Sequence, residues 1–178
     1  MCPRASRNVR ANLLAACLGV LFLTAAGQAS AQAPQANAVP ARVVGVVNTT
    51  GGAVIVLEAV GRNLYLPIWV ADREAQVAQG YIQGQRPPRP LTHDLYLNTV
   101  TTLGARITQV FVSDLQGRTF IGRIDLIQNG VVRQIDARSS DAVCVGLGAR
   151  VPIYIMIHVL AQVGMTRAQL IQQGIVVP

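Results

Sequence analysis

The chain has 178 residues, 51% of them hydrophobic, and a net charge of +7 to which arginine contributes every basic side chain. Two of its three cysteines, Cys2 and Cys17, lie in the N-terminal segment, so a disulfide framework and a multi-cysteine zinc site are both excluded. The third, Cys144, has apolar neighbours and is expected to be a buried, unreactive thiol.

The N-terminus has the pattern of an export signal. Three arginines within the first ten residues precede an apolar run over 11–27, and Ala29-Ser30-Ala31 provides a small-residue cleavage site. We therefore expect residues 1–31 to be a secretory signal peptide, with a mature periplasmic or secreted protein that has no membrane span. Two alternatives stay open: a lipoprotein signal ending at Cys17, and an uncleaved anchor, although the apolar run is shorter than the ~20 residues that span a bilayer comfortably.

The rest of the chain is long enough for one domain. Removing 31 of the 178 residues leaves 147, with 12 arginines against 8 acids and hence a net charge of +4. This excess favours anionic partners but provides no concentrated basic stripe of the kind that dominates nucleic-acid affinity. We expect a disordered leader over residues 32–40, a folded domain over 41–164, and a C-terminal helix and tail over 165–178.

Turn residues and hydrophobic periodicity place the secondary structure. The predicted strands cover residues 41–48, 53–58, 64–70, 105–115, 118–128, 131–136 and 152–156. The predicted helices cover residues 73–82, 93–103, 141–147 and 167–173, with a helical stub at 159–164. These elements predict the α+β class: a single compact domain with a mixed or antiparallel sheet of about six to seven strands and three to four short helices.

The dipeptide Asn129-Gly130 is the clearest hairpin signal in the chain. A two-residue loop sets the register by counting back from Gln128 opposite Val131, which places Arg123 opposite Asp136. We therefore expect a cross-strand ion pair between Arg123 and Asp136, of roughly 0.2 to 1 kcal/mol.

A proline-rich segment leads directly into a helix start. Three prolines between residues 87 and 90 stiffen the backbone and display Arg89, while Thr92 reads as an N-cap and Asp94 complements the helix dipole. His93, whose ring can accept or donate a proton, lies at the same helix end, so the segment predicts a site that handles phosphate. The alternative is that Thr92 and Asp94 are capping residues alone and that His93 is an exposed residue of the first turn.

A second helix start repeats this pattern at residues 137–141. Arg138 precedes the hydroxyl residues Ser139 and Ser140, and Asp141 lies in the first turn of the predicted helix. If the two helix starts converge, their arginines, His93 and the acids would form one anion-binding pocket.

Two aromatic residues outside these segments have simpler interpretations. Trp69 ends a predicted strand and is more typical of a core or interface aromatic than of a base-stacking platform. His158 has apolar neighbours and is expected to be packed or to lie at the rim of the core.

Four segments, taken in order, resemble the successive signatures of the bifunctional nuclease family, a former domain of unknown function. They are Leu66-Pro67-Ile68-Trp69, the segment from Pro88 to Leu95 (PRPLTHDL), the segment from Ile135 to Ala142 (IDARSSDA), and Pro152-Ile153-Tyr154. The resemblance covers about residues 41–160. It implies an α+β domain that tends to self-associate, with DNase and RNase activity among plant members and no settled catalytic residues.

The chain departs from the family pattern at two places. The usual Arg-Pro-Ser-Asp is here Arg138-Ser139-Ser140-Asp141, so a stiffening proline is lost. The acids that usually follow Pro-Ile-Tyr are absent, and Met156, Ile157 and His158 stand there instead.

The resemblance and the residues together favour phosphodiester hydrolysis in DNA or RNA by an exported protein. The predicted catalytic residues are His93, Asp94, Asp136 and Asp141, and the predicted substrate-binding residues are Arg89, Thr92, Arg138 and Ser140. Mg²⁺ is the expected cofactor if a metal assists, but no residue is assigned as its ligand. Nucleic acid and further copies of the chain are the expected partners.

Two other function classes stay open. The lost acids and the low charge content favour a non-catalytic, self-associating envelope module that binds a ligand, nucleic acid or a protein partner. A third class binds an anion or nucleotide at helix N-termini without chemistry.

Overall fold

The structure is a computed structural model, and it describes residues 36–85 and 87–177. The predicted signal peptide, its cleavage site and most of the predicted leader lie outside the described residues, as does Arg86.

The described residues form one seven-stranded sheet with five helices, which confirms the predicted α+β class and exceeds the expected helix count by one. The strands are β1 (Ala38–Thr49), β2 (Gly52–Ala59), β3 (Leu64–Val70), β4 (Ala105–Gln116), β5 (Thr119–Gln128), β6 (Val131–Arg138) and β7 (Ile153–Met156). The helices are α1 (Asp72–Ile82), α2 (Thr92–Thr102), α3 (Ser139–Ala149), α4 (Ile157–Val163) and α5 (Arg167–Gln172). None of these helices is long and apolar enough to cross a bilayer.

The sheet consists of two antiparallel meanders, β1–β2–β3 and β4–β5–β6, that are joined by the last strand, β7. Its order is β3-β2-β1-β7-β4-β5-β6. β7 pairs antiparallel with β1 and parallel with β4, opposite Val110, Phe111 and Val112. The sheet is therefore mixed, and its two edge strands are β3 and β6.

The β5–β6 hairpin has the register that its turn predicts. Asn129 and Gly130 both have positive φ, at 51° and 76°, as a two-residue turn of the type I′ class requires. Gln128 pairs with Val131 and Arg123 with Asp136, which confirms the predicted register.

The predicted ion pair across this hairpin is wrong. Arg123 instead pairs with an acid on its own strand. Its Nε donates to Asp125 Oδ1 at 2.8 Å, and its guanidinium lies 4.0 Å from the ring centre of Phe111. The reason is burial, because the Asp125 side chain is only 2% exposed and a buried carboxylate needs partners more than the exposed Asp136 does.

The main core lies between one face of the sheet and helices α1, α2 and α3. Helix α3 is the central element, because the five consecutive residues from Ala142 to Gly146 are all buried, and Cys144 among them is buried as predicted. Burial raises the pKa of the Cys144 thiol to about 12, so it is protonated at neutral pH. A smaller cluster, in which Leu170, Ile175 and Val177 cover β1 and β2, uses the C-terminal helix and tail.

The folded domain begins earlier than the sequence predicts. β1 starts at Ala38, its residues 38–41 pair with β7, and Val39 is buried. The expected leader is therefore wrong for residues 38–40, because hydrogen bonding to β7 and the burial of Val39 order a segment whose composition is that of a linker.

Candidate functional site

The two helix starts singled out in the sequence meet in space. α2 begins at Thr92 and α3 at Ser139, and His93 Nε2 lies 3.2 Å from Asp141 Oδ1. The His93 side chain is 14% exposed and that of Asp141 is 30% exposed, so both are shielded without being sealed from solvent. The convergence on which the predicted pocket depends is therefore observed.

Arg138 joins this pair to a third element. Its Nε donates to Asp141 Oδ2 at 2.7 Å, and its Nη2 donates both to Asp141 Oδ1 at 3.0 Å and to Glu74 Oε1, on α1, at 2.8 Å. The bidentate contact with Asp141 is the strong, planar form of the arginine–carboxylate interaction. One guanidinium thus fixes the starts of α1 and α3 against each other.

The charges of this cluster reinforce one another. Burial opposes ionisation of Asp141, but hydrogen bonds and the positive charge of Arg138, with a smaller contribution from His93, outweigh it and lower the pKa of Asp141. The hydrogen bonds that Arg138 donates to Asp141 and Glu74 raise the pKa of Arg138. Asp141 is therefore an anion at neutral pH and is held in place to accept from the His93 ring.

These side chains line a pocket of about 420 Å³ whose walls are largely apolar. Its lining consists of Arg73, Glu74, Val77, Leu91, Thr92, His93, Tyr96, Ile124, Ile135, Asp136, Ala137, Arg138, Asp141 and Val145. Few convergent polar groups in a mostly apolar concavity are typical of a small-molecule or substrate site.

A glycine on β5 lets α3 start close to the sheet. A Cβ added at Gly122 would lie 2.7 Å from the Arg138 carbonyl oxygen and 2.9 Å from Ala142 Cβ, which is too close for any other residue without a shift. The position of Arg138 therefore depends on the absence of a side chain at residue 122.

The capping chemistry of α2 differs from the prediction. Leu91, and not Thr92, occupies the N-cap position, and the Asp94 carboxylate accepts from the Leu91 amide at 2.9 Å and from the Tyr81 hydroxyl at 2.8 Å. The predicted Thr92 cap is wrong, because Asp94, three residues after Leu91, takes the orphan amide at the helix start. Burial, with the Asp94 bond, raises the pKa of Tyr81.

The remaining predicted site residues are dispersed. Thr92 lines the pocket, and Asp136 belongs to its outer wall but lies opposite Arg123 in the β5–β6 register. Ser140 is buried and lines a neighbouring pocket, and Arg89 lies on the exposed segment before α2, outside the lining. Asp94 also lies outside the lining of the His93 pocket.

Sequence reasoning assigned no role to Glu74. Its side chain is 16% exposed and engages Arg138. One signal was available: Glu74, like Asp141, is an acid in the first turn of its helix.

The acids of the pocket do not fit a metal. No group of three His, Cys, Asp or Glu side chains converges as a ligand set anywhere in the described part of the chain. Glu74 and Asp141, two of the three acids that line the pocket, both accept from Arg138, whose positive charge opposes a cation at the same oxygens. These residues therefore offer no fitting site for Mg²⁺.

A second histidine–carboxylate pair lies at another place in the fold. His158 Nε2 is 3.3 Å from Asp114 Oδ1, and the two side chains are 49% and 44% exposed. His158 is thus an exposed residue, and its pair does not line the pocket.

Comparison with known proteins gives a family and two relatives. The family model described as bifunctional nuclease domain matches residues 55–168. Two uncharacterized proteins of Mycobacterium tuberculosis, from strains CDC 1551 / Oshkosh and ATCC 25618 / H37Rv, are each 40% identical over 126 residues, which cover 70% of this chain and 75% of the relative. The matched range contains His93, Arg138, Asp141 and Glu74.

Proposed function

This chain belongs to the bifunctional nuclease domain family, and on that premise we propose that it hydrolyses phosphodiester bonds of nucleic acid with His93 and Asp141 as its catalytic pair. The observation that carries the proposal is the 3.2 Å contact between His93 Nε2 and Asp141 Oδ1 inside a pocket. A histidine oriented by a carboxylate is a common general base.

The reaction begins with water. Nε2–H of His93 donates to Asp141, which leaves the other ring nitrogen with its lone pair to take a proton from a water molecule as that oxygen attacks phosphorus. The P–O bond to the leaving group breaks, its electron pair stays on the leaving oxygen, and solvent supplies the proton that this oxygen takes up. Asp141, kept anionic by Arg138, stabilises the imidazolium that forms.

The positive charge of Arg138 stabilises negative charge on the phosphoryl oxygens. Its Nε and Nη2 are used by Asp141 and Glu74, while the two N–H groups of Nη1 form no hydrogen bond with any described residue. The side chain is 64% exposed at the pocket, so these two donors can reach a phosphate. Preorganised donors of this kind stabilise charge that develops in the transition state.

The experiment compares two histidine variants of the purified protein. Wild type, His93→Ala and His158→Ala are incubated with single-stranded RNA, single-stranded DNA and plasmid, and products are followed by gel. We expect the wild type and His158→Ala to cleave at least one substrate and His93→Ala to lose at least a hundredfold in rate. Equal activity of the two variants would refute the assignment of His93.

A second candidate function is supported by the edge strand β6. All residues from Val131 to Asp136 are exposed, and Val131, Val132 and Ile135 leave apolar surface beside an unpaired strand edge. Such an edge is a template for pairing with another chain. A non-catalytic, self-associating module would give a stable oligomer on sizing and no hydrolysis of any of the three substrates.

Export is part of the proposal as well. The basic and apolar pattern of residues 1–31 supports cleavage near Ala31, and a periplasmic or secreted location follows from it. N-terminal sequencing of protein from fractionated cells tests this, and an intact Met1 in the cytoplasmic fraction would contradict it.

A further inference from the structure

A second concavity adjoins the His93 pocket. It has a volume of about 410 Å³ and shares Glu74 and Arg138 with the first pocket, so the bridge between these two side chains forms the common wall. β3, the β1–β2 and β4–β5 turns and the start of α3 supply most of the remaining lining, which includes Trp69, Arg118 and Ser140. The two concavities therefore adjoin at the Arg138–Glu74 bridge, and His93 and Asp141 line the first of them.

Trp69 is the unusual residue of this second pocket. The side chain lies on the edge strand β3 and is 49% exposed, whereas core positions in the neighbouring strand are fully buried. A Cβ added at Gly51, which lines the same pocket, would lie 3.8 Å from Trp69 Nε1, so the indole borders the concavity. Of the two expected roles, core aromatic and interface aromatic, this exposure excludes the first, and a flat aromatic surface is left open to a ligand.

The charge of the second pocket favours an anion. Glu74 is its one acidic lining residue and is already bonded to Arg138, while Arg118 is exposed on the turn between β4 and β5. The lining thus carries two arginines against one acid. An aromatic surface beside guanidinium groups is the combination with which proteins bind unpaired nucleotides, because bases stack on the ring and phosphates pair with the cations.

Resting on the function proposed above, we propose that this second pocket binds the nucleotide next to the scissile phosphate, with its base stacked on Trp69 and its backbone phosphate at Arg118. The substrate class is then single-stranded nucleic acid. A base in a duplex is already stacked and paired, and reaching Trp69 would cost the energy of flipping it out.

Tryptophan fluorescence measures this contact directly, because Trp69 is the one tryptophan of the sequence. The protein is titrated with a single-stranded oligothymidylate and with a duplex of equal nucleotide concentration, and the intrinsic fluorescence is recorded. We expect quenching by the single strand and at least tenfold weaker binding of the duplex. Equal affinity for both, or no quenching by either, would overturn the proposal.

Variants separate the stacking role from folding. Trp69→Ala should weaken binding of a labelled single strand by about 5- to 150-fold, the range that one stacked base contributes, while Trp69→Phe keeps most of the affinity. Leu103→Ala, which removes an exposed apolar side chain far along the chain from the pocket, is the matched control and should bind as the wild type does. Unchanged binding by Trp69→Ala would refute the stacking role.

A substrate without a base distinguishes this inference from the proposed function. Bis(p-nitrophenyl) phosphate contains a phosphodiester but no nucleobase, so its hydrolysis should depend on His93. If His93→Ala abolishes that hydrolysis while Trp69→Ala leaves single-strand binding unchanged, the stacking subsite is refuted and the proposed function stands. If no substrate is hydrolysed but single strands quench Trp69, the subsite is supported and the proposed function fails.

Discussion

The imidazole of His93 and the carboxylate of Asp141 are separated by 48 positions in the chain, and yet His93 Nε2 lies 3.2 Å from Asp141 Oδ1. Each stands in the first turn of its own helix, and Arg138 clamps Asp141 from the other side with two hydrogen bonds. Because each group limits the motion of the next, the imidazole is presented to the pocket in a defined orientation, which is what general-base chemistry needs.

Replacing Arg138 by lysine keeps the positive charge and removes the planar fork. We expect Arg138→Lys to lower kcat by about 10- to 100-fold on the best nucleic acid substrate, because one ammonium cannot hold Asp141 and Glu74 and also offer two N–H groups to phosphate. Arg133→Lys, an exposed change on the same strand, is the control and should leave kcat unchanged. Equal kcat for both variants would show that the fork is not needed.

Asp94 should affect stability and not chemistry. Its carboxylate satisfies the Leu91 amide and the Tyr81 hydroxyl, so Asp94→Ala is expected to lower the free energy of unfolding by about 1 to 2 kcal/mol while the folded protein retains its kcat. Urea denaturation and hydrolysis assays on the same sample measure the two effects. Lost activity with an unchanged denaturation midpoint would instead assign Asp94 a chemical role.

The Asp141 carboxylate should make the fold sensitive to acid. Because the folded state lowers its pKa below the ordinary value of 3.8, the stabilising contribution is fully present above that value and is lost as pH falls through the lowered folded pKa. The difference in unfolding free energy between wild type and Asp141→Asn should therefore be about 1 kcal/mol at neutral pH and shrink below roughly pH 4. Urea titrations at each pH test this, and a difference that grows as the pH falls below roughly 4 would contradict it.

Gly122 should not tolerate a side chain. Gly122→Ala is expected to cost about 1 to 3 kcal/mol of unfolding free energy and to lower activity, because the new Cβ displaces the Arg138 carbonyl and the start of α3. Gly80→Ala is the matched control: Gly80 lies inside α1 with nothing within 4 Å of an added Cβ, so this change should stabilise by about 0.5 to 1 kcal/mol. An unchanged free energy of unfolding in Gly122→Ala would mean that β5 and α3 move apart easily.

Two neighbouring acids test the corrected ion pair. Asp125 is buried and accepts from Arg123 and Gln109, so Asp125→Asn should cost about 2 to 3 kcal/mol. Asp136→Asn should change stability by less than about 0.5 kcal/mol, since Asp136 is exposed and forms no hydrogen bond with a described side chain. Thermal denaturation of both variants measures the two losses of stability. A larger loss for Asp136→Asn than for Asp125→Asn would support the pairing of Arg123 with Asp136 instead.

The sequence predicted correctly those features that depend on residues close together in the chain. Asn129-Gly130 specified the hairpin and its register because both residues reach positive φ easily, and the strand periods and turns gave the α+β class. The same kind of pattern singled out His93 and Asp141, since an acid or a histidine after an arginine or proline at a helix start is visible along the chain.

The sequence by itself determined the elements, the hairpin register and the two helix starts, because backbone preference and hydrophobic period are properties of neighbouring residues. Only the tertiary structure decided which polar side chains pair. Arg123 donates to Asp125 and not to Asp136, Arg138 donates to Glu74, and Asp94 accepts from Tyr81. It also decided that Trp69 stays half exposed, in a pocket that Arg138 lines as well. Long side chains pair wherever burial makes an unpaired charge most costly, and burial is set by how distant segments pack.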